Sequence, residues 1–95
     1  LEKYLLNPQD HLIEQCRNGN TRAQMELYNR YSKAMYNCCH RLLNDEQNAE
    51  DMMQEAFIKA FQRMDQFSGK VSFGAWLKKI MIHQCLDHIK RQEID

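Results

Sequence analysis

Apolar residues recur every three or four positions along most of the chain, the spacing that keeps them on one face of a helix. The pattern predicts four helices. The first is short. Leu12, Ile13 and Cys16 form its stripe, Asn7 and Pro8 suit its cap and first turn, and Asn18 with Gly19 supplies a left-handed stop. The second is long and opens on Thr21, with Gln24 completing a capping box. Its face carries Ala23, Leu27, Tyr31, Met35 or Ala34, Cys38 and Leu42, and Asn44 with Asp45 ends it. The third is expected to start at Asn48, with Glu50 and Asp51 where the helix dipole favours anions. Ala49, Met52, Met53, Ala56, Phe57, Ala60 and Met64 are its buried stripe, and it stops near Asp65 and Gln66. Residues 67–71 are the least helical stretch. Ser72 then caps a fourth helix to about residue 91, with Phe73, Trp76, Leu77, Ile80, Leu86 and Ile89 inward and Lys90 and Arg91 in the last turn. One proline, three glycines and no alternating β-branched runs leave little room for strands. The expected fold is all-α, a compact bundle of one short leading helix and three longer ones.

Length and composition narrow the class. Ninety-five residues allow one domain, taken as residues 1–95 with a core at 7–91. Residues 92–95 read as the start of a linker, and a chain opening on Leu1 rather than Met is expected to be a piece of a longer protein. Apolar residues at 43% and charged residues at 27% describe a globular chain. No apolar run approaches a membrane span, and the first residues do not read as a signal peptide. Cys16, Cys38, Cys39 and Cys85 show no disulfide-framework, CxxC or zinc-knuckle spacing. Structural thiols in a reducing, cytoplasmic setting are expected.

Candidate enzymatic chemistry is thin. No GxSxG, GxGxxG or P-loop pattern occurs. His83 and His88 stand about 140° apart around a helix, and Cys38, Cys39 and His40 are consecutive and point three ways, so no metal site is expected. The chain is read as neither an enzyme nor a cofactor binder.

Charge is balanced at 13 against 13 but unevenly placed. Asp45, Glu46, Glu50, Asp51, Glu55 and Asp65 face only Lys59 and Arg63 across residues 44–66. Lys70, Lys78, Lys79, Lys90 and Arg91 then face only Asp87 across 67–91. An acidic block followed by a basic one suggests two surfaces with different partners. In the basic part Phe67, Phe73 and Trp76 alternate with Lys70, Lys78 and Lys79 around Gly69. Aromatic faces that stack on unpaired bases, beside cations that follow phosphates, suit single-stranded nucleic acid. The plainer alternative makes Phe73 and Trp76 core residues under a solvated lysine face.

Four ordered segments resemble region 2 of bacterial RNA polymerase sigma factors of the extracytoplasmic-function (ECF) group. They are Glu26-Leu27-Tyr28-Asn29-Arg30-Tyr31, then Asn48-Ala49-Glu50-Asp51-Met52-Met53-Gln54-Glu55-Ala56-Phe57, then Phe67-Ser68-Gly69 with Ser72-Phe73-Gly74-Ala75-Trp76-Leu77-Lys78-Lys79-Ile80, and last Cys85-Leu86-Asp87-His88-Ile89-Lys90-Arg91. The resemblance covers residues 10–91 without a gap. It implies an alternative sigma factor domain that binds core RNA polymerase and recognises and melts the promoter −10 element. It assigns Asp51, Gln54 and Glu55 to the clamp helices of the largest polymerase subunit. To the non-template DNA strand it assigns Phe67, Ser68, Gly69, Lys70, Val71, Ser72 and Phe73, which take a flipped base, with Trp76, Lys79 and His83 along the fourth helix. It also implies an anti-sigma factor and a second, helix-turn-helix domain beyond this chain. The sequence departs from the group at His83, where Asn is usual. A helical protein–protein adaptor without nucleic-acid binding is the alternative reading.

Overall fold

The computed structural model describes residues 9–94, so the Asn7 cap and Pro8 lie outside the described residues. Its four α-helices are α1 (Asp10–Arg17), α2 (Thr21–Leu43), α3 (Glu46–Gln62) and α4 (Phe73–Ile94), with a 3-10 turn at Met64–Gln66 after α3. The described residues contain no strand.

The chain breaks where its residues satisfy loose backbone groups. After α1, Gly19 takes φ +81°, its N–H donates to the Cys16 carbonyl, and that of Asn20 donates to Gln15. This pairing closes a helix end with glycine in the left-handed position. The expected Thr21–Gln24 box does not cap α2. Asn20 does, accepting from the Ala23 N–H at 3.0 Å, because it is the extended residue just outside the helix. Asn44, at φ 51°, ends α2, and Asp45 accepts from the Asn48 N–H at 2.8 Å. That cap starts α3 at Glu46, two residues before the expected Asn48.

Helices α2, α3 and α4 pack mutually, and α1 lies against α2 and the 3-10 turn. All seven residues expected on the α3 stripe are buried, as are Leu12, Ile13 and Cys16 of α1. The other two stripes need correction. On α2 the line runs Ala23, Leu27, Met35 and Cys39, with Tyr31 half-buried. Cys38 is only half-buried, and Ala34 and Leu42 are exposed. On α4 it runs Phe73, Leu77, Met81 and Cys85, whereas Leu86 is exposed and Trp76, Ile80 and Ile89 are half-buried. A step of four carries both stripes onward, and it brings the Cys39 and Cys85 thiols within 3.1 Å of each other at the α2–α4 contact. Near its start the α4 backbone also lies close to the Tyr31 side chain of α2. A Cβ on Gly74 would stand 3.1 Å from the Tyr31 ring.

Candidate functional site

The segment between the 3-10 turn and α4 is held at both ends. Before it, Arg17 reaches from the last turn of α1. Its Nε donates to the Met64 carbonyl at 3.0 Å, its Nη2 donates to the Phe67 carbonyl, and its guanidinium lies 5.9 Å from the Phe67 ring centre. After it, the Ser72 hydroxyl accepts from the Ala75 N–H at 3.2 Å, the expected cap of α4. Between these anchors Ser68, Gly69, Lys70 and Val71 are exposed, with Gly69 at φ +80°. Only glycine adopts that backbone without a side-chain penalty.

Phe67 and Phe73, expected to meet nucleic acid, are instead buried, at 7% and 3% exposure. Their rings pack edge to face at 5.6 Å, and Tyr31 meets Phe73 at 5.4 Å. The half-buried Trp76 lies 5.3 Å from Phe67 and 5.7 Å from Phe73. Edge-to-face pairs of this kind add to the stabilisation from burial itself. The two phenylalanines therefore act as floor rather than as stacking platforms. Above them opens a hollow of about 400 Å³, walled by Ile13, Tyr31, Gly69, Lys70, Val71 and Ser72. That volume lies in the range of small-ligand pockets. Trp76, Lys79 and His83 follow at steps of three and four on α4, so they share one face. Lys79 and His83 are exposed.

The acidic site is brought together as expected. Asp51, Gln54 and Glu55 are exposed on one side of α3, opposite the buried Met53 and Phe57. Their side chains are engaged locally. Asp51 accepts from Gln47 at 3.0 Å, Gln54 donates to Glu50 at 3.5 Å, and Glu55 accepts from Gln84 of α4 at 2.6 Å. Ile58, 56% exposed, extends the same face one turn past Gln54 and Glu55. Sequence reasoning missed Arg17, Gln84 and Ile58. Ile58 alone left a signal, as an apolar residue off the α3 stripe.

Comparisons with known proteins agree with this architecture. Residues 27–94 match the model of the sigma-70 region 2 family. The chain is 32% identical over 83 residues to the ECF RNA polymerase sigma factor SigW of Bacillus subtilis, covering 87% of this chain and 44% of that protein. It is 35% identical over 78 residues to the RNA polymerase sigma-H factor of Pseudomonas aeruginosa, covering 82% and 40%. The chain thus spans under half the length of these relatives. A solved NMR structure of an engineered region 2 of sigmaE, in complex with GTAAAA, is similar at a TM-score of 0.82 and 28% identity, covering 94% of this chain and 92% of that one. These likenesses do not favour the adaptor reading. Among the described residues no helix is long and apolar enough to cross a membrane. With four motifs in family order on a matching bundle, the chain belongs to the sigma-70 region 2 family, in its ECF group.

Proposed function

We propose that the chain binds core RNA polymerase through α3 and opens promoter DNA by capturing a −10 base of the non-template strand. The observation that carries this reading is the hollow over Phe67 and Phe73, with Trp76 packed against both rings and opening the α4 face that carries the exposed Lys79 and His83. The DNA hexamer bound by the sigmaE relative supports it. Extruding a base costs a few kcal/mol, least where the duplex is weak. A hollow that holds the extruded base offsets that cost, so binding itself drives opening and no nucleotide hydrolysis is required.

The floor residues define how such a hollow works. Phe67 and Phe73 present apolar surface without moving, so little side-chain freedom is lost when a base enters. Lys70, Val71 and Ser72 form the adjustable wall, with Ser68 next to it in the loop, and these residues would choose the base. Lys79 would follow phosphate. His83 would meet a base edge, with one donor and one acceptor when neutral and two donors when charged. On α3, Asp51 and Glu55 are carboxylates to which the guanidinium groups of a partner can donate. The resemblance is what assigns Asp51, Gln54 and Glu55 to the clamp helices of the largest polymerase subunit. Residues 92–94, expected to begin a linker, continue α4 to Ile94. The resemblance also leads us to place an anti-sigma factor among the partners, a helix-turn-helix domain elsewhere in the protein, and the cytoplasm as the location.

The test is retention of a single-stranded non-template oligonucleotide by the complex of this chain with core polymerase. Asp51→Arg should abolish polymerase binding and leave the circular dichroism spectrum unchanged. Lys79→Ala should weaken all oligonucleotides alike and reduce the salt slope by a little under one unit. Substitutions at Ser68, Lys70 or Val71 should change which of four oligonucleotides, differing at one base, is preferred. Equal weakening of all four by the loop variants would make the loop a positioning element and refute base capture.

A further inference from the structure

Gln84 is the only buried polar residue among the described residues, at 5% exposure. It sits one position after His83, beside Met52 and against α3. Three α3 side chains meet it. Its amide nitrogen donates to the Glu55 carboxylate at 2.6 Å and lies 3.5 Å from the Met52 sulfur, and its carbonyl oxygen accepts from the Lys59 ammonium. The chemistry of these partners fixes the orientation of the amide. Only the nitrogen can donate to a carboxylate, and only the oxygen can accept from an ammonium. Neither charged partner makes any other hydrogen bond or ion pair among the described residues.

A glutamate on an exposed helix face ordinarily samples many rotamers, and a partner that binds it must immobilise it. Here one carboxylate oxygen is already tied to a buried amide, and the other, Oε1, has no hydrogen-bond partner among the described residues. We infer that Gln84 is a positioning residue for polymerase docking: it holds the Glu55 carboxylate in one place, with Oε1 turned to the incoming partner. The inference rests on the proposed docking role of Glu55 and deepens it. Two features of the molecule favour positioning over simple core filling. A buried amide is a poor choice for simple core filling, because each of its polar atoms must be satisfied. Both of its charged partners lie on the α3 surface that carries the acidic face, so the amide turns interior rigidity into order at the docking surface. The same side chain ties that surface to α4 beside His83, so the polymerase face and the DNA face share one hydrogen-bonded joint.

Fixing one rotamer-rich side chain in advance is expected to strengthen binding by roughly twofold to tenfold, the effect of sparing one side chain's immobilisation. The experiment is a double-mutant cycle on the affinity of this chain for bacterial core RNA polymerase, using wild type, Glu55→Ala, Gln84→Met and the double variant. Gln84→Met keeps volume and removes the hydrogen bonds. Urea titration of each variant reports the fold separately. The expected result is weaker binding by Gln84→Met within that range, and no further loss when Gln84→Met is added to Glu55→Ala. A purely structural amide gives another pattern, in which the Gln84→Met loss persists undiminished beside Glu55→Ala. That pattern, or wild-type affinity of Gln84→Met beside a weakened Glu55→Ala, overturns the inference and leaves the docking role of Glu55 standing. Wild-type affinity of Glu55→Ala overturns the docking role and the inference together. If Gln84→Met does not fold, Gln84→Leu takes its place in the cycle. Unfolding of both makes the amide a structural necessity and also overturns the inference.

Discussion

Removing the Arg17 side chain tests how the loop is held. The substitution is Arg17→Met, which keeps much of the aliphatic stem and deletes the guanidinium. The group donates to two backbone carbonyls, Met64 at 3.0 Å and Phe67, and its side chain is 29% exposed. Hydrogen bonds from a charged donor are worth about 1.5–3 kcal/mol when well buried, and partial exposure brings these to about 1 kcal/mol each. The guanidinium over the Phe67 ring, at 5.9 Å, adds about 0.5 kcal/mol at such a site. The ion pair with Glu14 at 2.8 Å is exposed on the Glu14 side and adds about 0.2–0.5 kcal/mol. Against this stands about 1 kcal/mol of side-chain freedom regained on deletion, part of the entropy an ordered arginine gives up. The net expected loss is about 2 kcal/mol, read as a lower urea midpoint at unchanged slope. Arg17→Lys should recover little, because one ammonium cannot reproduce the planar fork that spans two carbonyls. Glu14→Gln should cost less than about 0.5 kcal/mol. A loss below about 0.5 kcal/mol for Arg17→Met, or full recovery by Arg17→Lys, would refute the argument that this fork anchors the loop.

Two further outcomes follow from burial. Leu27→Ala, Phe57→Ala and Leu77→Ala, at residues 2% exposed or less, should each destabilise by about 2–5 kcal/mol, while Ile80→Ala, half-buried, should fall below that range; denaturant titration ranks them. Burial, aided by the Glu26 carboxylate, pushes the Cys16 thiol from an ordinary 9.0 up to about 11. The folded state thus keeps a proton that the unfolded chain releases first. The resulting stability is complete below about pH 9 and is lost as pH rises through about 11, by about 2–3 kcal/mol. Urea titrations of wild type and Cys16→Ala at pH 8 and pH 11 should show the steeper alkaline decline in wild type; parallel declines would contradict this account.

The number and order of the helices were legible because α1 and α3 carry their apolar residues on narrow stripes. Helix α4 was harder, since Ile80, Met81 and Ile82 are consecutive and periodicity alone does not say which of the three faces inward. Packing chose Met81, because only that phase also buries Leu77 and Cys85. On α2 the same ambiguity between neighbours made Cys38 look internal where Cys39 is. The caps at Asn20 and Asp45 were visible as residue types, but their neighbours Thr21 and Asn48 fit the rules nearly as well. At the candidate site, residue types located the loop, and the structure divided them into floor and wall. The aromatic residues that suggested stacking turned out to be floor, the plainer of the two sequence readings. Arg17 and Gln84 left no sequence signal, because each acts on groups far along the chain, the Phe67 carbonyl and the Glu55 carboxylate.

The loop's two anchors make it an exchangeable part. Arg17 grips the main-chain carbonyl of Phe67, a group present whatever residue stands there, and the Ser72 cap lies on the far side. Ser68, Lys70 and Val71 bury little, and the Ser68 hydroxyl, accepting from the Lys70 N–H at 3.4 Å, ties only the loop to itself. A new set of side chains at these three positions therefore leaves the bundle's stability nearly unchanged, provided Gly69 keeps its left-handed turn. If the loop chooses the base as proposed, its selectivity can drift through single surface substitutions, each within a fraction of a kcal/mol of neutral for folding. A lineage could thus acquire a new recognition preference without passing through an unstable ancestor.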